Sequence, residues 1–185
     1  MILSDTTLKK MLEKGEIKIY PEVEEYNIRP TGIRVHLGKE ILVPIEGQVV
    51  DITKPIDLEY EKIDVSINDF ILEPNMFILG STHEKISTPP NIIGHLEGRS
   101  TVARVGMAIH CTSGVIDSMH DEPRTIVLEI KNWGNFSLKI TPYMPLGMLL
   151  FSELTAEISQ QSQSQYKNQD TVVAPNLHFQ PKGIN

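Results

Sequence analysis

The sequence predicts a mainly β fold, a sandwich or small barrel with one short N-terminal helix. Three observations predict it. Short apolar runs of strand length succeed one another from residue 17 to residue 151. Turn residues separate them, among them Arg29-Pro30-Thr31-Gly32, Glu73-Pro74-Asn75 and Trp133-Gly134-Asn135. No helical pattern alternates with the runs, as βαβ units would require.

Taken in order, the first element is the helix. Ser4 or Asp5 caps it, Leu8, Met11 and Leu12 follow at helical spacing to about Lys14, and Gly15 stops it. The expected strands are Ile17–Tyr20, Gly32–Val43, Val49–Ile52, Lys62–Ile67, Phe77–Ser81, Ile92–Leu96, Met107–Cys111, Thr125–Lys131, Phe136–Ile140 and Gly147–Phe151. Between the sixth and seventh, Arg99–Val105 can form a helical turn that puts Ser100 and Arg104 on one face, or serve as an ordinary connection. From Thr155 the composition shifts to Ser159-Gln160-Gln161-Ser162-Gln163-Ser164-Gln165. That segment is either a disordered tail or a hinge for a segment that closes over a ligand.

Composition sets the outer bounds. A chain of 185 residues with 40% hydrophobic content is expected to form one domain, residues 1–185, with 155–185 as a flexible C-terminal lid. A net charge of −7 argues against non-specific binding to nucleic acid or to an anionic membrane, while leaving room for a local cationic site. The single cysteine, Cys111, cannot close an internal disulfide and fits a reducing, cytoplasmic setting. The N-terminus has no basic region followed by an apolar core, so a secretory signal is not expected.

Chemistry concentrates between residues 98 and 129. Ile126, Leu128 and Ile130 share one face of a strand, with Val127 and Glu129 on the other. Glu129 either points to water or is a carboxylate set for use, since burying it without a partner is costly. Zinc is not expected, because one cysteine and six scattered histidines offer no ligand spacing. His110 and Cys111 read as packed core residues. Neither a Gly-x-Ser-x-Gly elbow nor a phosphate-binding Gly-rich loop occurs. A carboxylate among Ser and Arg remains, able to act as a general base without a metal ligand.

Gly98-Arg99-Ser100-Thr101-Val102-Ala103-Arg104, His110-Cys111-Thr112, Ile116-Asp117 and Ile126-Val127-Leu128-Glu129 resemble the core motifs of the dCTP deaminases, relatives of the trimeric dUTPases. Met1-Ile2-Leu3-Ser4-Asp5, Leu37-Gly38, Gly147-Met148-Leu149-Leu150-Phe151 and Tyr166-Lys167-Asn168-Gln169 fit the same pattern. The resemblance implies a homotrimer of distorted, dUTPase-like β-barrels (the β-clip) with active sites between subunits. It implies metal-independent hydrolytic deamination of dCTP to dUTP and ammonia, in the supply of dUMP and dTTP. Glu129 would be the general base acting at C4 of cytosine, aided by Ser100 and Arg104 from the adjoining subunit. Asp117 would meet the 3′-hydroxyl. Arg99, Thr101, Thr112, Ser113, Tyr166, Lys167 and Gln169 would complete substrate binding. Magnesium would arrive on the triphosphate with no protein ligand, and dTTP is a candidate inhibitor.

The chain also departs from that pattern. Asp117-Ser118-Met119-His120-Asp121-Glu122-Pro123-Arg124 is longer than the family turn and lacks glycine. Arg34 and His36 replace an Asp and an Arg, and Gln165 a tail lysine. Val115 stands where deaminases that stop at dUTP often carry arginine. A bifunctional enzyme releasing dUMP and pyrophosphate, a dUTPase, and a non-catalytic nucleotide-binding relative are therefore carried as alternatives.

Overall fold

A computed structural model describes residues 1–119, 122–159, 166 and 169–176. The expected N-terminal helix is α1 (Asp5–Glu13). Ser4, not Asp5, is its cap: the Ser4 hydroxyl accepts the Thr7 N–H at 3.4 Å. Leu8 is its fully buried contact with the core, and Gly15 follows in the left-handed region at φ +68°.

The strands are β1 (Lys18–Tyr20), β2 (Ile28–Arg29), β3 (Gly32–His36), β4 (Glu40–Pro44), β5 (Tyr60–Asp64), β6 (Phe70–Leu72), β7 (Phe77–Ser81), β8 (Lys85–Ser87), β9 (Ile92–Gly98), β10 (Met107–Ala108), β11 (Val115–Ile116), β12 (Val127–Asn132), β13 (Leu138–Ile140) and β14 (Pro145–Glu153). A short helix, α2 (Ser100–Arg104), follows β9. One five-stranded sheet has the order β10-β12-β7-β4-β5 and the other β11-β9-β14-β3-β2. Two antiparallel pairs, β1-β8 and β6-β13, flank them. Ile41, Ile78, Leu128 and Ile130 of the first sheet share one core with Ile33, Val35, Leu96, Leu149 and Phe151 of the second. No ladder closes either sheet into a barrel among the described residues, so the expected barrel is corrected to two open sheets over a common core.

The expected strand Gly32–Val43 is two strands in two sheets. β3 lies beside β14 and β4 beside β7. The chain crosses at Leu37-Gly38-Lys39, where the Gly38 N–H donates to Ser81 O at 2.8 Å. A Cβ on Gly38 would sit 2.9 Å from Ser81 Oγ, which is why glycine occupies the crossing. The expected strand Val49–Ile52 is corrected to a loop. Val49 is 97% exposed, and the Asp51 carboxylate accepts from the N–H and hydroxyl of Thr53, folding the segment into a local turn. Met107–Cys111 keeps strand pairing only through Ala108, and Cys111 is exposed, not core. β6, β8 and β11 are short strands that patterning alone did not separate from turns.

β12 carries the expected alternation. Leu128, Ile130 and Asn132 are buried, and Val127, Glu129 and Lys131 are half-buried on the other face. Asn132 ends the core row. Its Nδ2 donates to Leu72 O at 3.0 Å and Phe136 O at 2.9 Å, and its Oδ1 accepts the Gly134 N–H at 2.9 Å. No described helix is long and apolar enough to cross a membrane.

Candidate active site

A cleft of about 620 Å³ lies over the outer face of β12 and β7, within the range that holds small organic ligands. Glu129 opens into it from β12, opposite Leu79 of β7. The alternation that puts Leu128 and Ile130 in the core requires Glu129 to face this side. The Cys111 N–H donates to Glu129 Oε2 at 3.3 Å and the Cys111 thiol to Glu129 O at 3.7 Å. Burial, then the Glu129 charge, pushes the Cys111 thiol pKa up, so at neutral pH it is a thiol. Cys111 therefore orients the carboxylate through its backbone. Residue patterning missed this contact, because an amide carries no side-chain signal.

β11 and the residues around it form one rim. Ser113 and Asp117 line the cleft, and Val115, 60% exposed, projects between them. Ser118 and Met119 then turn into the core. The Ser118 hydroxyl donates to Pro89 O at 3.0 Å, and the Met119 N–H to Thr88 Oγ1 at 3.0 Å. The long 117–124 segment is thus anchored where it leaves the site; His120 and Asp121 lie outside the described residues.

The described C-terminal residues form the opposite rim. The Gln169 Nε2 donates to Thr125 O at 2.8 Å and the Thr125 N–H to Gln169 O at 3.3 Å. β12 starts at Val127, two residues beyond this pairing. Gln169 Oε1 is buried with no partner among the described residues, leaving an acceptor beside a cleft that Gln169 lines. The Tyr166 hydroxyl accepts the Asn176 N–H at 3.0 Å. Val172, 4% exposed, packs against Leu42 and Leu79, and the Thr171 hydroxyl donates to Glu40 Oε2. Residues 169–176 are therefore a strap seated on the first sheet.

Of the expected site residues, Glu129, Ser113, Asp117, Tyr166 and Gln169 come together in this cleft. Thr112 is exposed beyond Cys111 and does not line it. Ser100, Thr101 and Arg104 are exposed on α2, away from the cleft. Arg99, the residue before α2, is half-buried, with Nη1 donating to Pro145 O at 2.9 Å. Lys167 and much of the expected lid (160–165, 167–168 and 177–185) lie outside the described residues.

Fold and cleft together define a two-sheet β protein with a cleft of small-ligand size between a strand carboxylate and a C-terminal strap. A family model described as dCTP deaminase-like matches residues 2–154. The chain belongs to the dCTP deaminase-like family. It is 31% identical over 163 residues to a dCTP deaminase of Natronomonas pharaonis, covering 83% of this chain and 81% of that one. It is 33% identical to a dUMP-forming dCTP deaminase of Methanothermobacter thermautotrophicus, covering 84% of this chain and 80% of that one. The solved 2′-deoxycytidine 5′-triphosphate deaminase of Agrobacterium tumefaciens shares the fold at TM-score 0.62 and 15% identity, over 81% of this chain. This chain spans 47% of that longer one.

Proposed function

We propose that the chain deaminates dCTP to dUTP and ammonia, with Glu129 as general base. One observation carries the reading: a half-buried strand carboxylate, held by a backbone N–H, opens into a cleft of nucleotide size. Glu129 takes a proton from water as the oxygen adds to C4 of cytosine and passes that proton to N3. Glu129 then takes the proton of the new C4 hydroxyl and delivers it to the departing nitrogen. The C4–N4 bond breaks, C4 keeps the oxygen as a carbonyl, and ammonia leaves.

Among the described residues Arg124 is the one cation that lines this cleft, and Ser100 and Arg104 lie outside it, a separation that a shared site accounts for. Ser100 and Arg104 of an adjoining protomer complete it in a homotrimer, orienting water and stabilising the charge that develops. Asp117 accepts the 3′-hydroxyl of the sugar, and Ser113, Tyr166 and Gln169 surround base and sugar. Arg99, Thr101 and Lys167 serve the phosphates. Magnesium enters on the triphosphate and neutralises part of its charge. A cytoplasmic setting suits a chain acting on free nucleotides.

Val115 favours a second reading. An exposed apolar side chain on the rim leaves that position uncharged, and relatives that include the Methanothermobacter protein are named dUMP-forming. The product of dCTP separates the readings. Ammonia with dUTP is expected, ammonia with dUMP and pyrophosphate establishes the bifunctional form, and no ammonia overturns both.

A further inference from the structure

Three of the chain's five arginines meet at one end of the second sheet. β3 sets Arg34 opposite Met148, and β14 sets Met148 opposite Glu97, so Arg34 stands on the outward row of the sheet. Arg29 lies opposite Gly32, two residues along β3 from Arg34 and therefore on the same face. Arg99 follows β9 as it leaves this end. Its N–H donates to Leu146 O at 3.2 Å and its Nη1 to Pro145 O, and Pro145 pairs with His36.

Several cations elsewhere pair with carboxylates, as in Lys9–Glu25, Lys62–Glu40, Lys85–Asp170 and Lys139–Asp69. Among the described residues no carboxylate lies within ion-pair distance of Arg29, Arg34 or Arg99. Glu22, Glu24 and Glu84 line a small cleft with Arg34; none is within ion-pair distance of it, and both Glu84 oxygens are taken by the His36 ring and the His36 N–H. Glu97 shares the Arg34 row beyond Met148 and makes no ion pair among the described residues. Burial lowers the Arg99 pKa, and the charges of Arg34 and then Arg29 lower it further. In a chain with 24 acidic residues, leaving three arginines together without a counter-charge is unfavourable. A multiply charged anion relieves it, and guanidinium forks match phosphate oxygens in pairs.

We propose that Arg29, Arg34 and Arg99 form a binding site for the polyphosphate chain of the nucleotide, presented to an adjoining protomer's cleft by the sheet end that carries Ser100 and Arg104. The inference rests on the deaminase reading for the nucleotide's identity but not for the site's charge. Arg29 and Arg34 are its new members. They lie on strands that precede the region of catalytic chemistry, and no spacing connects them to it.

Calorimetric titration of the full-length protein with tripolyphosphate, without magnesium, tests the site. Orthophosphate and dCTP serve as comparison ligands. Arg34→Ala and Arg29→Ala should each weaken tripolyphosphate binding by about tenfold or more. Arg34→Lys should fall between wild type and alanine, and Lys54→Ala should bind as wild type does. The same variants should raise KM for dCTP with kcat little changed. Circular dichroism melts confirm that each variant is folded, and Arg34→Gln replaces any that is not. Wild-type tripolyphosphate affinity and KM in the Arg29→Ala/Arg34→Ala double variant would overturn the site, even if dCTP is deaminated. Arginine-dependent tripolyphosphate binding without ammonia from dCTP would instead overturn the deaminase reading and leave the site standing.

Discussion

Glu129 and Asn132 sit three residues apart on one strand and do opposite work. Glu129 faces the cleft, where its charge is held by the Cys111 N–H. Glu129→Gln keeps the shape and the acceptor oxygen but removes the base. Ammonia release from dCTP should fall about 10²–10⁴-fold, while dCTP still binds in calorimetry; a near wild-type rate would reassign the base. Asn132 faces the core and satisfies two carbonyls and one N–H. Asn132→Ala leaves all three without their partner, so denaturant unfolding should show a loss of about 3 kcal/mol. Its effect on KM should be small, because the side chain points away from the cleft.

At the scale of elements, the strap at 169–176 joins fold to site. It anchors through the Gln169–Thr125 pairing, Val172 packing and the Thr171–Glu40 bond. Truncation after Ser159 should leave both sheets folded, since β14 ends at Glu153. It should raise KM for dCTP strongly, because Tyr166 and Gln169 are lost from the cleft; an unchanged KM would remove the strap from the site. Glu40 makes the anchoring pH-dependent. The Thr171 hydroxyl first, then Lys62, holds its carboxylate below the ordinary value of 4.5. A depressed folded pKa means this stabilisation is complete above the unfolded value and declines as pH falls below it. Thermal midpoints recorded downward from about pH 5 should therefore fall more steeply for the wild type than for Glu40→Gln. Parallel curves would show that the contact contributes nothing.

At the scale of the whole molecule, one protomer holds Glu129 in its cleft while Ser100 and Arg104 stand outside it. A shared site makes a specific demand. Arg104→Ala and Glu129→Gln subunits, each inactive alone, should recover part of the activity when mixed after denaturation and refolded together. Some interfaces in the mixed trimer then pair an intact Glu129 with an intact Arg104. Light scattering should report about three times the 20.8 kDa chain mass. A monomer, or no recovery on mixing, would confine the site to one chain.

Local pattern determined a good deal of this protein. A helix cap at Ser4 or Asp5, the Gly15 stop, the strand–turn alternation and the shared face of Val127 and Glu129 follow from residue spacing. They are short-range consequences of period and capping chemistry. Tertiary structure decided what spacing does not encode. The apolar run 32–43 could pair in one sheet or two, and the close approach of Gly38 to Ser81 divided it. Val49–Ile52 has strand composition but found no edge to pair with, so it stayed a turn. The seating of Val172 on Leu42 and Leu79, the Cys111 amide on Glu129 and the meeting of Arg29 with Arg34 and Arg99 join residues distant in sequence. Strand partners and sheet membership depend on burial and hydrogen bonding summed over the whole chain. A backbone amide has no residue identity through which the sequence could announce it.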